Sequence, residues 1–440
     1  VTLQPVQGQT AFNPAKDNPY IQTQILPTSA PTHNKYSHFP YAVSGYIQDK
    51  MEFKSIIVNI GVRYDYFEPN GKVLSDPSDP DIYNPIKVEN RFVDTNQNGL
   101  PDPGEYVLTI ADRTKYWYKK ATPKAKFSPR LGVSFPITAR GIVHFSYGHF
   151  FQTPRFERLY ENPGFKLGLG TGNQGVIGNA DLQPEQTINA ELGVQQQLTD
   201  DISLDVTTYI RDIRGLTGTQ GEEIIVFGGA SRYSMYTNSD FGFVKGIVVT
   251  ATKRFSGGVT ATADYTFQIA RGTASDPQQA RNAIAGGAQP DIQLTPLGWD
   301  QRHTLNTTIA YSGSNWGLSA IGQFGTGTPY TPRKSPAIST LLTNSEIKPT
   351  FFNVDLRTYY QFDVDAIKFI LFARVFNLFD FRNETSVFDD TGRAGFSTDE
   401  TYAKNQNLST QRVNTIDQWY AVPLNYSEPR RIEIGMNLEF

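Results

Sequence analysis

No cysteine occurs anywhere in the 440 residues. That absence removes disulfide frameworks, thiolate metal sites and cysteine nucleophiles together. No apolar run is long enough for a membrane-spanning helix. No long basic run occurs either, and 40 Lys+Arg nearly balance 43 Asp+Glu, which argues against nucleic acid as a main partner. A Gly-rich phosphate loop, an H-E-x-x-H pair and a G-x-S-x-G elbow are all missing, so enzymatic catalysis has no support. The chain begins at Val1 without a signal-like segment, which reads as a processed chain or a fragment.

Aromatic residues and turn formers are abundant instead. Tyr 23 and Phe 29 stand beside Gly 37 and Pro 27, a composition that favours many strands joined by turns. The apolar share of 38% is low for a soluble all-β protein of this length. It suits a barrel in lipid, where alternate residues of each strand face a wet interior.

The hydrophobic pattern carries the fold assignment. In 431–440 every even position is apolar, placing Ile432, Ile434, Met436, Leu438 and Phe440 on one face. Arg431, Glu433, Asn437 and Glu439 take the other. The same period of two appears at 188–195, 202–211, 259–268 and 352–362, and less cleanly at 39–53/55–67, 127–137/141–151 and 302–313/316–325. The criterion gives about thirteen strands, as six hairpins and a final strand. Short turns are expected near Lys54-Ser55, Thr138-Arg140, Asp200-Asp201, Ser256-Gly258, Ser314-Asn315 and Asp363-Asp365. Long connections are expected at 68–126, 152–184, 214–242, 271–301, 326–350 and 378–428.

Tight turns on one side and long loops on the other are the habit of outer-membrane barrels. The expected fold is therefore all-β, a transmembrane antiparallel barrel, with the long loops extracellular and the C-terminus periplasmic. A soluble sandwich or propeller would show shorter strands and comparable connections. No internal repeat supports a propeller.

Several stretches resemble the C-terminal barrel half of TonB-dependent receptors, nearest the Oar-like group with its carboxypeptidase-regulatory-like domain. They are Tyr46-Ile47-Gln48-Asp49-Lys50, Val58-Asn59-Ile60-Gly61-Val62-Arg63-Tyr64-Asp65 and Phe127-Ser128-Pro129-Arg130-Leu131-Gly132. His144 to Pro154, Gly178 to Glu185, Asp300-Gln301-Arg302-His303, Val375 to Asp380 and Glu428-Pro429-Arg430-Arg431 continue the match in order. The resemblance implies a barrel of about twenty-two strands with a plugged lumen. Thirteen strands would leave it unclosed. Residues 1–37 then read as the end of an extracellular loop and 38–440 as the C-terminal part of the barrel. Plug, TonB box and earlier strands are expected outside this sequence. The implied partners are outer-membrane lipid, that missing N-terminal part, the TonB complex through the plug, and an unidentified solute. The implied activity is uptake across the outer membrane, energised through TonB. The alternative is a structural or interaction barrel, acting as adhesin, secretion or assembly component.

One loop motif stands apart. Residues 94–105 fit D-x-[DN]-x-[DN]-G-x5-E, a spacing that wraps Ca²⁺ with oxygen ligands. Asp94, Asn96, Asn98, Asp102 and Glu105 would supply side chains and Leu100 its carbonyl. Pro101 and Pro103 oppose flanking helices, so the motif is a lone loop inside 68–126. A solvated Asx-rich turn has the same composition.

Charges on strands form the remaining candidates. Arg130, Glu191, Asp205, Arg211, Asp264, Asp355, Arg357 and Arg374 should line the interior, either contacting a plug or solute or pairing in ion-pair ladders. His144 and His149 should point to opposite faces, while His33 and His38 share a loop. Asp389-Asp390 and Glu222-Glu223 read as solvated acid pairs. Tyr116-Trp117-Tyr118, Phe351-Phe352, Tyr359-Tyr360 and Trp419-Tyr420 read as ligand contacts or interfacial girdle.

Overall fold

The computed structural model describes residues 27, 33, 35–167, 172–290, 293–333, 343–406 and 415–440. The expected loop segment 1–37 thus lies outside the described residues except for 27, 33 and 35–37.

Thirteen antiparallel strands, each paired with its neighbours in chain order, form one continuous sheet. The first four are β1 (Tyr41–Glu52), β2 (Ile57–Glu68), β3 (Lys124–Thr138) and β4 (Gly141–Gln152). Next come β5 (Glu185–Gln197), β6 (Ile202–Thr219), β7 (Ser231–Ser256) and β8 (Val259–Gly272). Then follow β9 (His303–Ser312), β10 (Trp316–Gly325), β11 (Phe351–Val364), β12 (Ile367–Phe376) and β13 (Arg431–Glu439). Among the described residues β1 pairs only with β2 and β13 only with β12, so the sheet is open.

All six short turns fall where the sequence places them, at 53–56, 139–140, 198–201, 257–258, 313–315 and 365–366. Three of them have two residues, and one of these is Gly257-Gly258, with φ of 60° and 80°. Positive φ at both central residues matches the twist of the flanking strands and needs glycine.

The two faces differ in chemistry as the alternation predicts. Ile432, Ile434, Met436 and Leu438 of β13 are 60%, 83%, 51% and 43% exposed. Ile60, Leu192, Ile210 and Ile309 share that apolar face and are equally open. A soluble protein does not leave so continuous an apolar surface uncovered. No helix among the described residues is long and apolar enough to cross a membrane.

One expectation fails instructively. The stretch 214–242, read as a long connection, is mostly strand: β6 runs to Thr219 and β7 begins at Ser231, leaving only 220–230 between them. At 26 residues β7 is far longer than the roughly nine to eleven that a membrane crossing needs. Its outer half pairs in parallel with Gly172–Ile177 and antiparallel with Ile224–Val226.

That projection is the wall of a folded cap at the long-connection end. Leu74, Ile82, Trp117, Phe165, Leu167, Ile177, Val226 and Tyr233 form one buried cluster. Phe67, Ala121, Leu159, Tyr160, Ala180, Leu182 and Tyr236 form a second. Helix α1 (Ile110–Trp117) enters the cap through a capping box, in which Thr109 and Asp112 satisfy each other's backbone amides. Much of the described part of the connections 69–123 and 153–184 is thus packed structure, the turn at 94–105 staying exposed.

Candidate functional site

The polar face of the sheet is read most directly along its register. One row runs Gly61, Arg130, Gly148, Asn189 and Arg211. A second runs Ser146, Glu191, Tyr209, Gly246 and Gln268. A third runs Gln195, Asp205, Thr250, Asp264, Asn306, Gln323 and Asn353. A fourth runs Ser319, Arg357, Arg374 and Glu433, with Asp355 two residues from Arg357. All eight charges singled out from the sequence therefore share one face.

The expected ion-pair ladders do not form among them. Glu191 accepts from Asn189 Nδ2 at 2.8 Å and from Ser146 Oγ at 3.3 Å. Asp205 accepts from Thr207 Oγ1 at 2.8 Å, and Asp264 from Thr250 Oγ1 at 2.7 Å. Asp355 accepts from Asn353 Nδ2 and from the Asn377 amide, both at 2.9 Å. On the basic side, Arg211 Nε donates to Asn189 Oδ1 at 3.3 Å, and Arg130 stacks 5.0 Å from the Phe150 ring centre. Only Arg374 reaches a carboxylate, Glu433 at 3.7 Å. Hydroxyls and amides orient the acids without neutralising them, so the wall keeps formal charges available to whatever occupies the space beside it.

Three small positions on adjacent strands deepen this wall. Gly61, Gly132 and Gly148 line a cavity of about 440 Å³ together with Tyr46, Arg63 and Arg130. Arg63 is held by Asp65 through its Nε at 2.9 Å and by Ser44 through Nη2 at 2.7 Å.

A second cavity, of about 540 Å³, opens in the cap beside the segment that leads into β1. His38 stacks on Tyr160 there, with ring centres 4.3 Å apart and planes at 16°. Its Nδ1–H donates to the Asn70 carbonyl at 3.2 Å. Burial, with the Glu68 charge assisting, pushes the Tyr160 hydroxyl up to about 12. That phenol stays a hydrogen-bond donor at every physiological pH, as its bond to the Pro69 carbonyl requires.

The loop 94–105 folds as an exposed turn closed by its own side chains. Asp94 accepts from the amides of Asn98 at 3.1 Å and Gly99 at 2.8 Å. Asn96 and Asn98 both turn their Nδ2 toward Asp102 Oδ2, at 2.7 Å each. Leu100 donates its amide to Asn98 Oδ1 at 2.7 Å, and Glu105 accepts from the amides of Thr95 and Asp102. The six residues named from the sequence are therefore brought together. Among the described residues, however, no group of three or more His, Cys, Asp or Glu is arranged to hold a metal ion.

Other expectations resolve individually. His144 lies opposite Gly193 on the polar face and His149 opposite Ile188 on the apolar one. His33 contributes its carbonyl to Lys166 Nζ at 2.5 Å. Glu223 is not solvated: its side chain is 3% exposed and pairs with Arg232 at 2.9 Å. Asp389 pairs with Arg333 at 3.1 Å, while Asp390 accepts from the Thr398 amide at the start of a helix. Trp117 is neither girdle nor ligand contact but cap core, 4% exposed. Tyr233 and Phe165 are core residues that the sequence does not mark, because nothing in their local pattern signals burial between distant connections.

The profile of the family described as "TonB dependent receptor-like, beta-barrel" matches residues 4–378. No curated protein sequence matches this chain. Among solved structures, the ferric-catecholate import receptor Fiu of E. coli K12 is 16% identical, with a TM-score of 0.46, over 80% of this chain and 42% of its own. The FrpB iron transporter of Neisseria meningitidis is 15% identical, with a TM-score of 0.48, over 78% and 42%. The siderophore receptor PiuA of Acinetobacter baumannii is 13% identical, with a TM-score of 0.47, over 80% and 40%. The chain spans about two fifths of the length of these structures.

Proposed function

The chain belongs to the TonB-dependent receptor β-barrel family, and from that premise we propose that it supplies the wall and outer vestibule of an outer-membrane importer. The observation that carries this reading is the division of one sheet into an uncovered apolar face and a charged polar face. The apolar face meets lipid; the polar face lines the path of a solute. The long-connection end, with its folded cap, faces outward, and the short turns face the periplasm.

Closure supports the same reading. The free edges of β1 and β13 each present a row of backbone donors and acceptors, and hydrocarbon offers them no partner. Further strands of the complete receptor bridge these edges, and a plug in the lumen connects transport to TonB. No bond is made or broken in such a step, so no residue is given a catalytic role. The work is binding, gating and release.

The loop 94–105 is proposed to take Ca²⁺ when the ion is supplied. The ligand spacing supports this, and Asp94, Asn96, Asn98, Asp102 and Glu105 already gather at one turn. Binding would swing the amides of Asn96 and Asn98 to present oxygen instead of nitrogen.

Two measurements test the main reading. Brominated lipid should quench a Trp placed at Ile434 or Leu192 and spare one placed at Gln195. Uptake of the receptor's solute should cease in cells lacking TonB. Quenching at Gln195 in place of Ile434 would invert the faces and end the proposal.

A further inference from the structure

The fourth polar row contains an arrangement that sheets ordinarily avoid. Arg357 of β11 and Arg374 of β12 are direct cross-strand partners on one face. Side chains so placed start about 5 Å apart, and like charges there repel. The neighbouring acids do not resolve the conflict. Asp355 turns its Oδ1 to Asn353 and the Asn377 amide, and among the described residues it makes no ion pair with either arginine. Glu433 lies 2.6 Å from Arg431 Nη1 and only 3.7 Å from Arg374 Nη1, so one carboxylate serves two guanidinium groups. Among the described residues Arg357 makes no hydrogen bond or ion pair, and it is exposed.

The row beneath is apolar and closely built. Tyr359 and Phe372 are also cross-strand partners, flanked by Gly317 and Gly435. Arg374 stacks over Phe372 at 5.1 Å, and Arg431 over Phe376 at 4.3 Å. Stacking fixes the planes of these guanidinium groups; the Arg431 edge is taken by Glu433, while Arg374 meets that carboxylate only at 3.7 Å and keeps donors to offer.

We propose that Arg357 and Arg374 form a two-armed site for an oxyanion, a carboxylate or phosphate group, on the polar face. Guanidinium forks match such groups with paired charge-assisted hydrogen bonds. An anion between the two strands turns the repulsion into a bridge. The site rests on the reading of this face as the barrel interior. Two sources offer the chemistry: an anionic solute, or an acidic side chain from elsewhere in the receptor.

Thermal melts of the intact receptor in detergent separate them, in sodium chloride and sodium sulfate at equal ionic strength. Arg357→Met keeps the aliphatic stem and removes the charge; Arg374→Met does the same across the pair. If free oxyanions bind, sulfate raises the wild-type Tm by roughly 3 °C or more beyond its effect on either variant. If a resident carboxylate fills the site, wild type gains nothing over the variants in sulfate, and Arg357→Met, which gives up no hydrogen bond or ion pair among the described residues, melts lower in both salts. Either pattern supports the site and names its occupant. Arg357→Met melting at or above wild type in chloride, with all three proteins responding equally to sulfate, overturns it. Uptake is not the readout, so failure here leaves the transport reading standing, and a failed uptake assay leaves the site untouched.

Discussion

Tyr209 closes over Gly246, its direct partner across β6 and β7: a Cβ added at Gly246 would stand 2.8 Å from the ring's Cζ and hydroxyl. The same relation joins Tyr359 to Gly317, Phe372 to Gly435 and His144 to Gly193. Each ring covers the gap that the glycine leaves in the polar wall, the cross-strand rescue that sheets use to stabilise glycine positions. Tyr209 also donates to Gln268 Oε1 at 3.2 Å and carries Arg211 over its ring at 5.0 Å.

The four pairs predict two kinds of epistasis. At Gly317 the three nearest atoms all belong to Tyr359, so Gly317→Ala should cost about 1–3 kcal/mol alone and almost nothing beside Tyr359→Ala. At Gly246 the Phe267 carbonyl also stands 2.5 Å from the added carbon. Tyr209→Ala should therefore fail to relieve Gly246→Ala. Melting curves of the purified barrel check both cycles; additivity at Gly317 would show that the ring has another place to go.

The cap should unfold separately from the wall. Trp117 is 4% exposed and donates Nε1–H to the Pro80 carbonyl at 3.2 Å, while Tyr233 donates to the Pro77 carbonyl at 2.5 Å. Trp117→Ala removes an aromatic from a closed cluster and should destabilise the cap by about 3–5 kcal/mol. Hydrogen exchange should then accelerate at 72–90 and 224–235 while β9 to β12 keep their protection. Equal acceleration everywhere would make cap and barrel one cooperative unit.

The barrel was legible in the sequence and the cap was not, for a physical reason. Strands in lipid must alternate strictly because one face meets hydrocarbon, which is why 431–440 can be read without a structure. The outer half of β7 meets protein on both sides: Ser231, Tyr233, Ser234 and Tyr236 are all buried, and no period of two survives. Its neighbours come from 74–82, 117 and 165–177, distant contacts that no local window can report. The polar-wall charges were assigned to the right face, since parity alone fixes that. Their partners were not, because Asn189, Thr207 and Thr250 hold the acids through hydrogen bonds that carry no charge pattern to read.

Asp181 ties the cap to the root of β3 and should give the receptor an acid-sensitive seam. Its Oδ1 accepts from Lys124 Nζ at 2.8 Å and from the Thr122 amide at 2.7 Å. Burial opposes the charge, but those donors outweigh it and hold the carboxyl below the usual carboxylate range. A depressed folded value stabilises above the unfolded value of about 3.9 and ceases to do so as pH falls through the folded one. Because the Lys124 side chain is 2% exposed, Asp181→Asn strands a buried cation at neutral pH. A loss of about 2 kcal/mol is expected at pH 7, where the acid is partly exposed and screening trims the full cost. Melts repeated toward pH 3 should bring variant and wild type together; a constant gap would place the effect in packing instead.

Calcium should act on the cap through one turn. In 94–105 the Asp102 carboxylate is shared by two amide groups, Asn96 and Asn98, which occupy the space an ion would take. Supplying Ca²⁺ must rotate both amides, which makes the expected affinity modest, about 0.1–1 mM as in extracellular modules. At about 10 mM free ion such a site stabilises its loop by roughly 1.4–2.7 kcal/mol. Calorimetric titration should therefore show heat with Ca²⁺ and far less with Mg²⁺, whose octahedral demand this ligand set does not meet. Glu105→Gln removes the carboxylate at loop position 12, where the ion is bound through two oxygens, and should abolish the signal. The Gln oxygen can keep one of the two bonds from the Thr95 and Asp102 amides; its Nε2 donates and cannot accept the other. Asn98→Asp should strengthen binding by adding a fourth carboxylate to Asp94, Asp102 and Glu105, while weakening the turn without the ion, because it replaces an amide donor to Asp102 with a like charge. The two substitutions thus move affinity in opposite directions, and an Asx turn without a metal role would show no titration in either.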